Sequence, residues 1–136
     1  MPAFNIKKTV VGSVKKTVLV VDDEPDILAT VAEILEMNEY IVFTARNGNQ
    51  CLEKLEDLTP DLILLDIMMP GITTKEILDE IEQDKKLEKT KIIFLTAVGL
   101  TETEKEHLLA RKHVIDFIQK PFDVDDLLKR VKSAVG

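Results

Sequence analysis

Four short apolar runs in this 136-residue chain are each followed by residues that could handle a tetrahedral anion. Val18 to Val21 leads into Asp22-Asp23-Glu24, Leu62 to Leu65 into Asp66, Ile92 to Leu95 into Thr96, and Val114 to Ile118 toward Lys120. Carboxylates gathered at one place raise one another's pKa unless a cation neutralises them. A hard divalent ion does so, and Mg2+ commonly takes one or two carboxylates together with waters and a phosphate oxygen. Lys120 and Thr96 add an ammonium and a hydroxyl suited to phosphoryl oxygens. An aspartate can accept a phosphoryl group as a mixed anhydride, provided a metal cancels the repulsion between attacking oxygen and phosphate. Asp66 lies centrally in the set and is the expected acceptor. Asp22 and Asp23 are the expected metal ligands, with the Met68 main-chain carbonyl as a third. A carboxylate is already ionised at neutral pH, so no general base is needed. His107 and His113 are expected on solvated surface. A plainer reading of the first acids stands beside this one: acids favour helix N-termini and Pro25 suits a first turn, so Asp22 to Asp26 could cap a helix.

The residues between these runs say what positions them. Ile27, Val31, Ile34 and Leu35 keep a helical stripe after the first run. Tyr40 to Phe43 forms another run, Asn47-Gly48 breaks it, and Leu52, Leu55 and Leu58 mark a helix stopped by Thr59-Pro60. Beyond Pro70-Gly71, the Thr73-x-x-Glu76 capping box opens a helix with Ile77, Leu78 and Ile81. Thr101 to Lys112 is a weakly patterned helix whose apolar face is little more than Leu108 and Leu109. Asp123 caps a last helix carrying Val124, Leu127, Leu128 and Val131 on one stripe. Five strand–helix units with strands apolar on both faces predict an α/β fold, a parallel sheet between two helical layers. In such open sheets ligand chemistry gathers beyond the carboxyl ends of the strands, which is where all the candidate residues fall.

Composition narrows the function classes. Eighteen Lys and Arg against 25 Asp and Glu give a formal net charge of −7, which argues against a nucleic-acid-wrapping or anionic-membrane surface. Lys7, Lys8, Lys15 and Lys16 lie in residues 1–16, which hold no acid, so this basic segment is set apart from the domain expected over 17–136. Lys7-Lys8-Thr9-Val10 recurs as Lys15-Lys16-Thr17-Val18, and Gly12-Ser13 resembles a hairpin turn. The following strand looks central, so a disordered or partner-docked tail is expected instead. The single cysteine, Cys51, fits a reducing compartment and a packing role. No signal-peptide core or membrane span is visible, and the chain reads as cytoplasmic.

At these residues the sequence resembles the receiver domain of two-component response regulators, the CheY-like family, from about Thr17 to Val135. The resemblance rests on Val20-Val21-Asp22-Asp23-Glu24-Pro25, Pro60-Asp61-Leu62-Ile63-Leu64-Leu65-Asp66-Ile67-Met68-Met69-Pro70-Gly71, Leu95-Thr96-Ala97 and Asp116-Phe117-Ile118-Gln119-Lys120-Pro121-Phe122. It implies strand order 2-1-3-4-5 with five helices, and Mg2+ held through Asp22, Asp23 and Asp66. It further implies phosphorylation of Asp66 from the phosphohistidine of a sensor histidine kinase or phosphotransfer protein. Thr96 and Phe117 would then act as switch residues, altering the face formed by the fourth helix, fifth strand and fifth helix for a downstream protein or a phosphorylation-dependent homodimer. The Lys120-Pro121 bond would be cis. Two places depart from the family: Thr73-Thr74 replace the usual Asp-Gly, and His113-Val114 after Arg111-Lys112 replace the usual Gly-Ala before the last strand. The second could alter the signalling face.

The reading is therefore a phosphoacceptor switch rather than an enzyme, either a stand-alone receiver or a fragment of a larger regulator or hybrid kinase. A Mg2+-dependent aspartyl-phosphate phosphatase is disfavoured, because Met68 stands where such enzymes need an acid two residues after the nucleophile. A flavodoxin-like cofactor site is disfavoured because Asp22 to Asp26 would repel the phosphate.

Overall fold

The computed structural model describes residues 15–67, 71–97 and 99–136. Five strands, β1 (Thr17–Val21), β2 (Ile41–Ala45), β3 (Leu62–Asp66), β4 (Lys91–Thr96) and β5 (Val114–Gln119), form one sheet in the order β2-β1-β3-β4-β5. Every pairing is parallel. The helices are α1 (Pro25–Met37), α2 (Gly48–Asp57), α3 (Thr74–Gln83), α4 (Glu102–Leu109) and α5 (Val124–Val135). Adjacent strand residues point to opposite faces, so the continuous apolar runs feed two cores. Leu19, Val21, Ile63, Leu65 and Phe94 face α2 and α3, while Val18, Val20, Leu62, Leu64, Ile93 and Leu95 face α1 and α5. β1 has both edges occupied, by β2 and β3. The Gly12-Ser13 turn and the first lysine pair lie outside the described residues.

Local chemistry sets the boundaries. Thr73 and Glu76 form the expected capping box of α3, and Asp123 caps α5 by accepting from Asp125 N. A second capping box, Thr101 with Glu104, starts α4, a helix with no fully buried residue. Only Leu108 of its two leucines packs against the core, while Leu109 is exposed. Gly48 opens α2 under Ile72 and Ile77, where any Cβ would collide with both side chains. The Lys120-Pro121 bond is cis.

His113 corrects one expectation. It is 4% exposed rather than solvated, because it immediately precedes β5, and its Nδ1 lies 2.7 Å from Thr90 O. The carbonyl can only accept, so Nδ1 carries the proton. Arg111, which follows α4, donates from Nε and Nη2 to Glu82 and Asp79 of α3 at 2.7 and 2.6 Å.

Cys51 is fully buried in the α2–α3 core, and burial pushes its thiol up to about 12. Thiolate is the reactive form, so the folded protein at pH 8 is expected to resist a disulfide-exchange reagent such as DTNB for as long as it stays folded. Full colour should develop within seconds in denaturant, and rapid reaction of the native protein would contradict the packing role.

Candidate functional site

The site lies beyond the carboxyl ends of β1, β3, β4 and β5, around the point where strand order reverses between β1 and β3. Asp22 follows β1, held there by its own N–H on Ala45 O at 3.1 Å. Asp66 ends β3 and Thr96 ends β4. Lys120 follows β5, tied back by its N–H on Thr96 O at 2.7 Å. The sheet register alone thus places four side chains from residues 22 to 120 at one edge.

Asp22 is 0% and Asp66 3% exposed. Asp22, Asp23 and Asp66 each offer a carboxylate oxygen, and the three atoms lie within 4.8 Å of one another. Ligands around a small cation at about 2.1 Å stand roughly 3 to 4 Å apart, so slight contraction would close this set. All the donors are hard oxygens. Asp22 Oδ1 accepts Glu24 N at 3.0 Å, while Oδ2 is buried without a well-directed hydrogen bond. Its compensation is electrostatic: the Lys120 ammonium stands 2.6 Å away. The residues present therefore fit a hard cation. Met68 falls outside the described residues, so its carbonyl is not placed.

Lys120, its side chain 8% exposed, reaches three acids: Asp22 at 2.6 Å, Glu24 at 3.0 Å and Asp66 at 3.6 Å. Burial draws its pKa down, but the bonds to Asp22 and Glu24 and the charges of Asp66 and Asp22 outweigh burial and leave it above an ordinary lysine. Glu24 is the partner that sequence reasoning missed. It occupies the position before α1 but makes no side-chain cap there, whereas Pro25 and Asp26 do take their expected places in the first turn. Its carboxylate turns to a lysine 96 positions away, a pairing with no signal in local sequence.

Thr96 is buried, and with Phe117 it lines a cleft of about 400 Å3 between α4 and α5. The Phe117 ring stacks on Phe94 with centroids 5.7 Å apart and planes at 23°. Arg130 grips Asp116 with Nη1 at 2.8 Å from both carboxylate oxygens, and Asp116 Oδ1 accepts Phe117 N.

The pattern of the response regulator receiver domain matches residues 18–132. The chain belongs to that family. Receiver domains are signalling modules, and phosphorelay signal transduction is the process they serve. This receiver domain is 37% identical over 122 residues to the phosphate regulon transcriptional regulatory protein PhoB of Pseudomonas aeruginosa, covering 90% of this chain and 52% of that protein. It is 35% identical over 117 residues to hybrid signal transduction histidine kinase D of Dictyostelium discoideum, covering 86% and 7%. A solved structure of response regulator TrrA from Thermotoga maritima, in complex with Mg2+ and BeF, is 38% identical with TM-score 0.72 and covers 88% of this chain and 98% of that one. The receiver domain thus spans about half of PhoB and a small part of the hybrid kinase.

Proposed function

We propose that the chain is a Mg2+-dependent phosphoacceptor switch with Asp66 as the phosphorylated residue. The observation that carries this reading is the buried Asp66 carboxylate with the Lys120 ammonium at 3.6 Å and two further carboxylates within metal-sharing reach. An Asp66 oxygen attacks phosphorus, the P–N bond of a phosphohistidine breaks with its electron pair remaining on the imidazole, and a P–O bond forms. Asp22, Asp23 and Asp66 would hold Mg2+, which when bound offsets the negative charge of attacking and transferred oxygens. Lys120 and Thr96 orient the phosphoryl oxygens, and Phe117 follows Thr96 as the switch aromatic. The phosphoryl group biases shapes that already exist, since it can shift the equilibrium only by its differential contacts.

The donor class is a sensor histidine kinase or phosphotransfer protein. The downstream target meets the α4–β5–α5 face, whose exposed Leu109 and Val124 suit protein contact. The receiver unit is assigned to 17–136, with 1–16 a separate basic segment, in the cytoplasm; no described helix is long and apolar enough to cross a membrane. Incubation with acetyl phosphate or phosphoramidate and Mg2+ should add the mass of one phosphoryl group to the intact protein. An unchanged mass would sink the reading.

Glu24 should restrain this reaction, because it holds Lys120 toward β1 and adds negative charge beside the site. Exposed ion pairs are worth about 0.2 to 1 kcal/mol, and Glu24 is 58% exposed at its side chain. Glu24→Gln should therefore raise the initial rate of acetyl phosphate labelling about two- to fivefold. A slower variant would show that Glu24 assists instead.

A further inference from the structure

The opposite end of the sheet carries a second concentration of charge, of the other sign. A cleft of about 700 Å3 opens beside the amino ends of β4 and β5 and the last turn of α5. Five lysines line it: Lys16, Lys89, Lys91, Lys112 and Lys132. Its two acids do not cancel them. Asp61, which accepts Thr17 N at 2.8 Å, and Glu88 are two counter-charges against five lysines. Lys91 donates to Ala134 O at 2.8 Å, whereas Lys16, Lys89, Lys112 and Lys132 form no ion pair among the described residues. In a chain of net charge −7, five lysines around one hollow are a marked asymmetry.

A further feature points to a ligand. β5 is bulged here: Ile92 pairs with Val114 and Ile93 with Asp116, so Ile115 is skipped. A bulge re-aims a side chain, and Ile115 lies 41% exposed in the cleft wall. His113 is buried in the same wall with its Nδ1–H on Thr90 O, which fixes the backbone there.

We propose that this cleft docks an acidic protein segment, one with several Asp or Glu flanking an apolar side chain that seats on Ile115. The lysines are spread around the hollow rather than converging on one point, which suits serial carboxylates better than a single phosphate. Among the described residues the wall holds no arginine, and its one aromatic ring, the His113 imidazole, is buried and so offers no open face on which a base could stack. A long polyanion such as duplex DNA would also run past the cleft onto a negatively charged body, whereas a short segment keeps its charge inside. This site is separate from the Asp66 cluster and does not depend on the phosphoacceptor reading.

The test uses the whole chain and a fluorescein-labelled peptide of alternating Glu and Leu, read by fluorescence anisotropy at low and high salt. Binding should be salt-sensitive, and Lys112→Glu with Lys132→Glu should weaken it about tenfold or more. Ile115→Ala should weaken it a few-fold, and an all-Glu peptide should bind less tightly than the Glu-Leu one. Asp66→Asn should leave it unchanged. Both lysines are exposed, so circular dichroism melts should match the parent. Absence of binding, indifference to the double charge reversal, or tighter binding of a DNA duplex of equal charge would each overturn the proposal.

Discussion

Asp66→Asn is expected to take up no phosphoryl group from acetyl phosphate and Mg2+ under conditions that label the parent to completion. The amide keeps the shape of the side chain but has no anionic oxygen to attack phosphorus, so the loss should be complete rather than partial. Stability should move the other way. Asp66 has two carboxylates within 4.8 Å and one ammonium at 3.6 Å, and that ammonium stands closer to Asp22 and Glu24. Like charges at such range in a buried setting repel one another, so the Asn variant, which removes one of them, should be more stable in Mg2+-free buffer. Adding Mg2+ should raise the melting temperature of the parent, since a ligand bound only by the folded state stabilises it. The Asn variant, with a weaker donor set, should respond much less. Urea or thermal unfolding with and without Mg2+ reads all four states. If the variant labels as the parent does, the acceptor lies elsewhere. If it labels poorly but is destabilised, Asp66 has a packing role that charge repulsion does not describe.

Why these residues could be picked out beforehand is visible in the strands. Runs such as Leu62 to Leu65 are apolar at every position because both faces of a parallel sheet are covered, and the first polar residue after each run marks the strand's carboxyl end. Asp22, Asp66 and Thr96 announce themselves in this way, and the parallel order then brings them together. Lys120 is announced less directly, since Gln119 separates it from the last apolar residue. Features that depend on two elements meeting could not be read. Glu24 looked like a helix cap, and only the arrival of Lys120 from the far end of the chain gives it a different partner. His113 looked like surface because its neighbours Arg111 and Lys112 are charged, yet the strand start buries it against Thr90. The Ile115 bulge is equally silent, because it is a register shift between β4 and β5 rather than a property of either sequence. α4 was weakly marked for a physical reason: no residue of it is fully buried, so its periodicity carries little signal.

Lys120→Met tests the same cluster from its positive side. The Lys120 side chain is 8% exposed and its ammonium stands 2.6 Å from Asp22, whose side chain is 0% exposed and has no other cationic partner among the described residues. Removing one member of a buried ion pair leaves the other uncompensated, typically at a cost of 3 to 5 kcal/mol. The variant should therefore lose about that much unfolding free energy in Mg2+-free buffer near pH 7, measured by urea titration. The pH dependence follows from the direction of the lysine's shift. Its folded pKa is above the unfolded value, so its stabilisation is fully present below about pH 10.4 and is lost as pH rises through the folded pKa. The gap between parent and variant should stay level from pH 6 to pH 9 and narrow only at higher pH. Mg2+ should narrow it too, for a different reason: ammonium and metal draw on the same carboxylates, so the variant offers the ion an uncontested site and should gain more stability from it than the parent does. A gap that opens rather than closes on adding Mg2+ would mean that Lys120 and the cation support each other instead of competing for Asp22 and Asp66.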